Sequence, residues 1–177
     1  MLKYVVPALI IACVPLSASA QRASQQQQNA HEISTPSFVR KAAAGDLFEI
    51  RSSQLALTRS KDNRVRSFAR RLVTDHRKAA RQMQNTLHRA GMRQPPQRMD
   101  ARQQSTLAQL RRTGPRNFDN AFVDAQIEAH QGAVKMYQAY ARDGRRPELR
   151  QFAQRELPTL QEHLAIALRL GPRVAQR

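Results

Sequence analysis

Apolar residues recur at alternating spacings of three and four in several stretches of this chain, the signature of helices that each bury one face. One stripe reads Val65, Ala69, Leu72, His76, Ala79, Met83, Leu87. A second reads Val123, Ile127, His130, Val134, Tyr137, Ala141, and a third Leu149, Ala153, Glu156, Leu160, His163, Ala167, Leu170. Upstream, two stripes compete for one stretch: Phe38, Ala42, Gly45, Glu49, Ser52, Ala56, or Ala43, Leu47, Ile50, Gln54, Leu57. The first would turn Glu49 inward and the second outward. No stretch alternates with period two over a useful length, so the pattern predicts no strand.

Punctuation sets the boundaries. Thr35 is a plausible cap, and Pro36 suits the first turn of a helix running to Arg59. "SKDN" breaks the chain at Ser60–Asn63, with Asp62 able to cap a second helix over Arg64–Ala90 that stops at Gly91. A third helix starts near Asn117 and ends before Gly144. A fourth starts at Pro147-Glu148 and ends at Gly171-Pro172. Pro158 within it either bends the axis or marks a restart. Between the second and third helices lie about 25 residues, long for a bundle connection, in which Asp100–Arg111 reads as a short helix. The pattern predicts an all-α fold. Two helical hairpins joined by a long crossover form a ferritin-like four-helix bundle, although the spacing also allows a plain up-down-up-down order.

Each of the three long stripes carries one histidine near its middle. His76 and Glu49 both stand about 13 residues from the turn at Asp62–Asn63, and His130 and His163 flank the turn at Gly144–Arg146 at matching distances. All four therefore fall near the mid-plane under either connectivity. A histidine on an apolar face is most simply a core residue satisfied by a nearby acid. Asp75, Glu128 and Glu162 stand one or two positions before the three histidines and are the supporting acids within reach. Three imidazoles at one level also suit a transition metal such as zinc, copper, nickel or iron, with Glu49 completing the set. A pH-responsive polar core is a third reading. A di-iron carboxylate centre needs Glu three residues before His on two helices, and Val73, Ile127 and Leu160 occupy those positions. No nucleophile elbow, phosphate loop or carboxylate pair is evident, and Ser52-Ser53 lack a base at helical spacing. The sequence thus offers no catalytic residue.

The N-terminal segment changes the expected address. Lys3, an apolar run over Val5–Leu16 and Ala18-Ser19-Ala20 form a secretory-signal layout over residues 1–20. This predicts an exported, periplasmic protein, with a lipid anchor at Cys13 or full secretion as the alternatives. Cys13 is the only cysteine, so the processed chain would use no disulfide or thiolate chemistry. Residues 21–34 read as a Gln-rich linker in which His31 has no companion ligands, 35–171 as the bundle, and 172–177 as a tail. The whole chain carries +17. Without residues 1–20, 29 Lys and Arg face 13 Asp and Glu. Export and the lack of aromatics interleaved with basic residues argue against nucleic acid. Anionic envelope polymers or lipid remain plausible docking surfaces, and no apolar run of the processed chain is long enough to cross a bilayer.

Four segments carry a family resemblance: "FVRKAAAGDLFEIRSSQLAL" (Phe38–Leu57), "VRSFARRLVTDH" (Val65–His76), "FVDAQIEAHQ" (Phe122–Gln131) and "LRQFAQRELPTLQEHL" (Leu149–Leu164). Together they resemble the bacterial domain-of-unknown-function family forty-one forty-two. The resemblance implies an exported ferritin-like bundle of a kind often labelled a membrane or outer-membrane protein. It also implies a shared mid-bundle feature at His76, His130 and His163. The family has no agreed activity, so no catalytic role is implied. An accessory or stress role in the envelope, without catalysis, is the expectation.

Overall fold

A computed structural model describes residues 33–175, with side chains through residue 171. The expected signal at 1–20 and nearly all of the 21–34 linker lie outside the described residues, as do the side chains of the expected tail. Five helices follow in order: α1 (Thr35–Arg59), α2 (Asn63–Arg89), α3 (Ala101–Arg112), α4 (Pro115–Asp143) and α5 (Pro147–Ala175). Among the described residues there is no strand, and the fold is all-α.

The helix ends follow the sequence closely, with two corrections. The cap of α1 is Ser34, whose hydroxyl accepts from the Ser37 amide, rather than Thr35. Thr35 is free instead to hydrogen-bond the Tyr140 hydroxyl at 2.8 Å, tying the start of α1 to the end of α4. The second correction is at the C-terminus, where α5 continues through Gly171-Pro172 to Ala175. It also passes through Pro158 as one helix. Asp62 caps α2 as expected, accepting from the Arg64 amide at 2.8 Å. Gly91 closes that helix at φ 63°, a left-handed conformation that costs glycine nothing. Asp100 and Gln103 cap α3 reciprocally, forming a capping box.

Two apolar clusters define the topology. In one, the end of α1 (Ala56) and the start of α2 (Val65, Phe68) meet the start of α4 (Phe118, Phe122) and the end of α5 (Ala167, Leu170). The other joins the start of α1 (Phe38), the end of α2 (Leu87), the end of α4 (Tyr140) and the start of α5 (Leu149, Phe152). Helices α2 and α4 therefore run in the same direction. The segment between them must travel the length of the bundle, and α3 lies along it, packed on α1 and α4. This is the crossover connection, and the up-down-up-down alternative is excluded. Arg59 fastens the crossover by donating to the carbonyls of Leu110, Arg111 and Thr113 at 2.6–2.9 Å. Its guanidinium also sits 4.8 Å from the Phe118 ring centre.

Each of the large side chains in these clusters contributes roughly 1.5–3 kcal/mol by leaving water. The α2 stripe is buried at all seven expected positions. On α1 the stripe through Phe38, Ala42, Glu49, Ser52 and Ala56 wins, and Glu49 points inward at 4 % exposure. Tyr140 stacks on Phe38 with ring centres 3.9 Å apart. Its ring also crowds Gly144, where an added Cβ would lie 2.6 Å from it.

Candidate metal centre

Between the two apolar clusters lies a polar layer. His76 of α2, His130 of α4 and His163 of α5 are all buried there, and their ring centres form a triangle with sides of 5.3, 5.5 and 5.6 Å. One ring nitrogen from each lies within 4.8 Å of those of the other two. The three helices bring them together because each histidine continues an apolar stripe at the same height.

The outer nitrogen of every ring is held. His76 Nδ1 donates to Asp46 Oδ1 at 2.9 Å. His130 Nδ1 is 2.9 Å from the Gln126 carbonyl, one turn back on its own helix. His163 Nε2 donates to Asp75 Oδ2 at 2.9 Å, and Arg71 approaches the same oxygen at 3.4 Å. A carbonyl can only accept, so His130 carries its proton on Nδ1 and a lone pair on Nε2. A carboxylate likewise fixes the proton on His163 Nε2 and leaves a lone pair on Nδ1. Those two lone-pair nitrogens face each other at 3.3 Å. The third inner nitrogen, His76 Nε2, is buried and has no hydrogen-bond partner.

Two acceptors at hydrogen-bonding distance repel unless a cation lies between them. A proton is a poor candidate. Burial, followed by the charges of His76 and His163, lowers His130 to about 3. Burial likewise lowers His163 to about 4, against its hydrogen bond to Asp75. A metal fits the spacing better: two nitrogens bound at ~2.0–2.1 Å to one tetrahedral ion stand about 3.3 Å apart. The His76 ring nitrogen, within 4.8 Å of the other two, would need to close by up to about 1.5 Å to complete three ligands at that spacing.

The acids divide differently from the sequence expectation. Asp75 supports His163 across the bundle rather than its neighbour His76. Glu128 and Glu162 support no histidine: both are exposed and pair with Arg102 and Arg71 respectively. Residues one or two apart on a helix point 100° or 200° from each other, so an acid just before a histidine rarely shares its face. The acid that serves His76 is Asp46, which the sequence reading missed, as it missed Gln126. Each left a signal: Asp46 precedes Glu49 by three and Gln126 precedes His130 by four, a turn away on the same face.

Glu49 is buried beside the cluster, with Oε1 3.9 Å from His130 Nδ1, the nitrogen already committed to Gln126. Its Oε2 has no partner. Burial pushes its carboxyl up to about 7, opposed by the charge of His76. Burial also raises Asp46, against the hydrogen bond from His76. For His76 burial pulls downward, but the Asp46 hydrogen bond and the charges of Glu49, Asp46 and Asp75 outweigh it, and the net shift is upward.

A family model described as Domain of unknown function (DUF4142) matches residues 19–170. The chain belongs to this family. The motif resemblance is thereby borne out, and the three histidines of this DUF4142 chain fall inside the matched region. No curated protein matches. Among solved structures, a DUF305 fragment from Deinococcus radiodurans is similar, with a TM-score of 0.67 and 24 % identity. The match covers 77 % of this chain and 93 % of that one, and it supports the helical fold alone. Among the described residues, no helix is long and apolar enough to cross a membrane.

Proposed function

We propose that this protein is an exported bundle of the bacterial envelope whose mid-plane histidines bind one transition-metal ion. The observation that carries the reading is the pairing of roles on each imidazole. Every outer nitrogen is anchored, and two inner lone pairs converge at 3.3 Å beside the unpartnered Nε2 of His76. Metal-bound histidines are characteristically oriented in this way, by a carboxylate or carbonyl on the other ring nitrogen. His76, His130 and His163 are the ligands in this reading. Asp46, Gln126 and Asp75 orient them, and Glu49 stands next to the site. An all-nitrogen set suits zinc, copper, nickel or iron(II) over magnesium or calcium. The reading assigns no reaction.

Metal analysis of protein purified from the periplasm, wild type beside a His76→Ala/His130→Ala variant, tests it. The expected result is about one ion per wild-type chain and none in the variant, with a metal-dependent rise in melting temperature only in wild type. Metal-free wild type whose melting temperature ignores added zinc, copper or nickel would sink the reading, leaving a purely structural polar core. Export is tested separately, by cell fractionation and the mass of the processed chain. The basic surface would add salt-sensitive binding to anionic vesicles if it docks on envelope lipid.

A further inference from the structure

A buried cation site needs an entrance, and the two sides of the polar layer differ in what they offer. Beside His163, between α2 and α5, the free space is about 10 Å³, room for about one water at most. On the opposite side, a cavity of about 400 Å³ opens between α1, α3 and α4 and reaches His76, His130 and Glu49. Small residues make the room: an added Cβ at Gly45 of α1 or Gly132 of α4 would meet nothing within 4 Å. The exposed pair Arg102–Glu128, linking α3 to α4, belongs to its lining.

The charge of this cavity runs against that of the molecule. The chain has 30 basic and 13 acidic residues, yet Asp46, Glu49, Asp100 and Glu128 line the cavity against Lys41, Arg102 and the upward-shifted His76. A cation is repelled by a surface of net positive charge and drawn to a cleft of opposite sign. Two buried, unpartnered atoms belong to residues lining that cleft: Glu49 Oε2 and His76 Nε2. An unpaired carboxylate oxygen beside the histidines is suited to take a cation from water and pass it on.

We infer that the cavity between α1, α3 and α4 is the path by which the metal ion loads and leaves, with the Glu49 carboxylate as its transfer ligand. The inference rests on the metal reading above and adds a route to it. Gly132→Leu narrows the path: the glycine lines the cavity from an exposed mid-helix position, so a leucine there covers its mouth while helix propensity rises.

Stopped-flow mixing of metal-free protein with Co²⁺, followed by absorbance, reads the loading rate; transfer to a chelator reads release. Gly132→Leu should slow both by the same factor, at least about tenfold, with affinity kept within about twofold. Gly132→Ala, which leaves the path open, should load like wild type. Glu49→Gln should slow loading by about tenfold even at saturating affinity. Wild-type loading rates in Gly132→Leu, with Co²⁺ affinity intact, would overturn the route while leaving the metal site standing. Reduced affinity at an unchanged loading rate would overturn it as well. No Co²⁺ binding by wild type would overturn the site and the route together.

Discussion

Phe118, Phe122 and Leu72 at one end of the bundle, and His76, His130 and His163 at its middle, are all nearly inaccessible to water. At the aromatic end the rings of Phe118 and Phe122 lie nearly parallel and carry no polar atom themselves, although Asp119 Oδ1 and Asn120 Oδ1 beside them are buried without partners. The middle has to satisfy ring nitrogens, carboxylates and an amide. It does so completely on the outer side of each imidazole and incompletely on the inner side, where Glu49 Oε2, His76 Nε2 and Gln126 Oε1 lack partners. Burying polar groups without partners costs stability. The proposed metal site gives the unpartnered His76 Nε2 and Glu49 Oε2 a use that packing does not.

Substitutions should separate the two regions. Phe122→Ala at the apolar end should cost about 3–5 kcal/mol, read by denaturant unfolding, while metal affinity in the surviving folded fraction stays near wild type. A metal affinity that falls in step with stability would blur the distinction. In the polar layer, Asp46→Asn removes the charge behind His76 while keeping its shape. Its expected effect is about 1–3 kcal/mol on stability but about 10–100-fold on metal affinity, measured by competition with a chromogenic chelator.

Acid should strike the middle through its histidines. His130 and His163 fall from the ordinary 6.5 to about 3 and about 4 in the folded chain. Their contribution to stability is therefore present above pH 6.5 and lost as the pH falls through about 4 for His163 and about 3 for His130. Glu49 acts oppositely. With its value raised from 4.5 to about 7, its contribution is full below 4.5 and is lost as the pH rises to about 7. Metal-free Glu49→Gln should thus lose stability more steeply than wild type on acidification across that window. Equal slopes in melting temperature against pH would contradict the assignment. The smallest effect belongs to an acid next to the site in sequence only. Glu162→Ala breaks an exposed pair with Arg71 and should cost less than about 1 kcal/mol, with no change in metal affinity.

What was legible in the sequence followed the helical period. The stripes placed the histidines at one height and on one face, because side chains three and four apart must share a face whatever the connectivity. That same symmetry hid the topology: equal distances from the turns hold for both chain orders. Only the partners of Phe118 and Phe122 at the far end of α1 separate them. The orienting acids were misread because closeness in sequence stood in for closeness in space. Asp46 and Asp75 reach their histidines from other helices, 30 and 88 residues away, while Glu128 and Glu162 turn outward. The glycines at 45 and 132 gave no warning of a cavity, since open space beside a glycine depends on helices far away in the chain.

The central claim is that two imidazole lone pairs converge beside the unpartnered Nε2 of His76 while the opposite N–H groups are tied down, and ring-nitrogen NMR of ¹⁵N-labelled protein tests it most directly. In the metal-free protein at neutral pH, His130 should carry its proton on Nδ1 and His163 on Nε2. Added Zn²⁺ should shift His76 Nε2, His130 Nε2 and His163 Nδ1, leaving the outer nitrogens protonated. Inner nitrogens that stay unchanged at saturating Zn²⁺, or a metal bound through the outer nitrogens, would contradict the account.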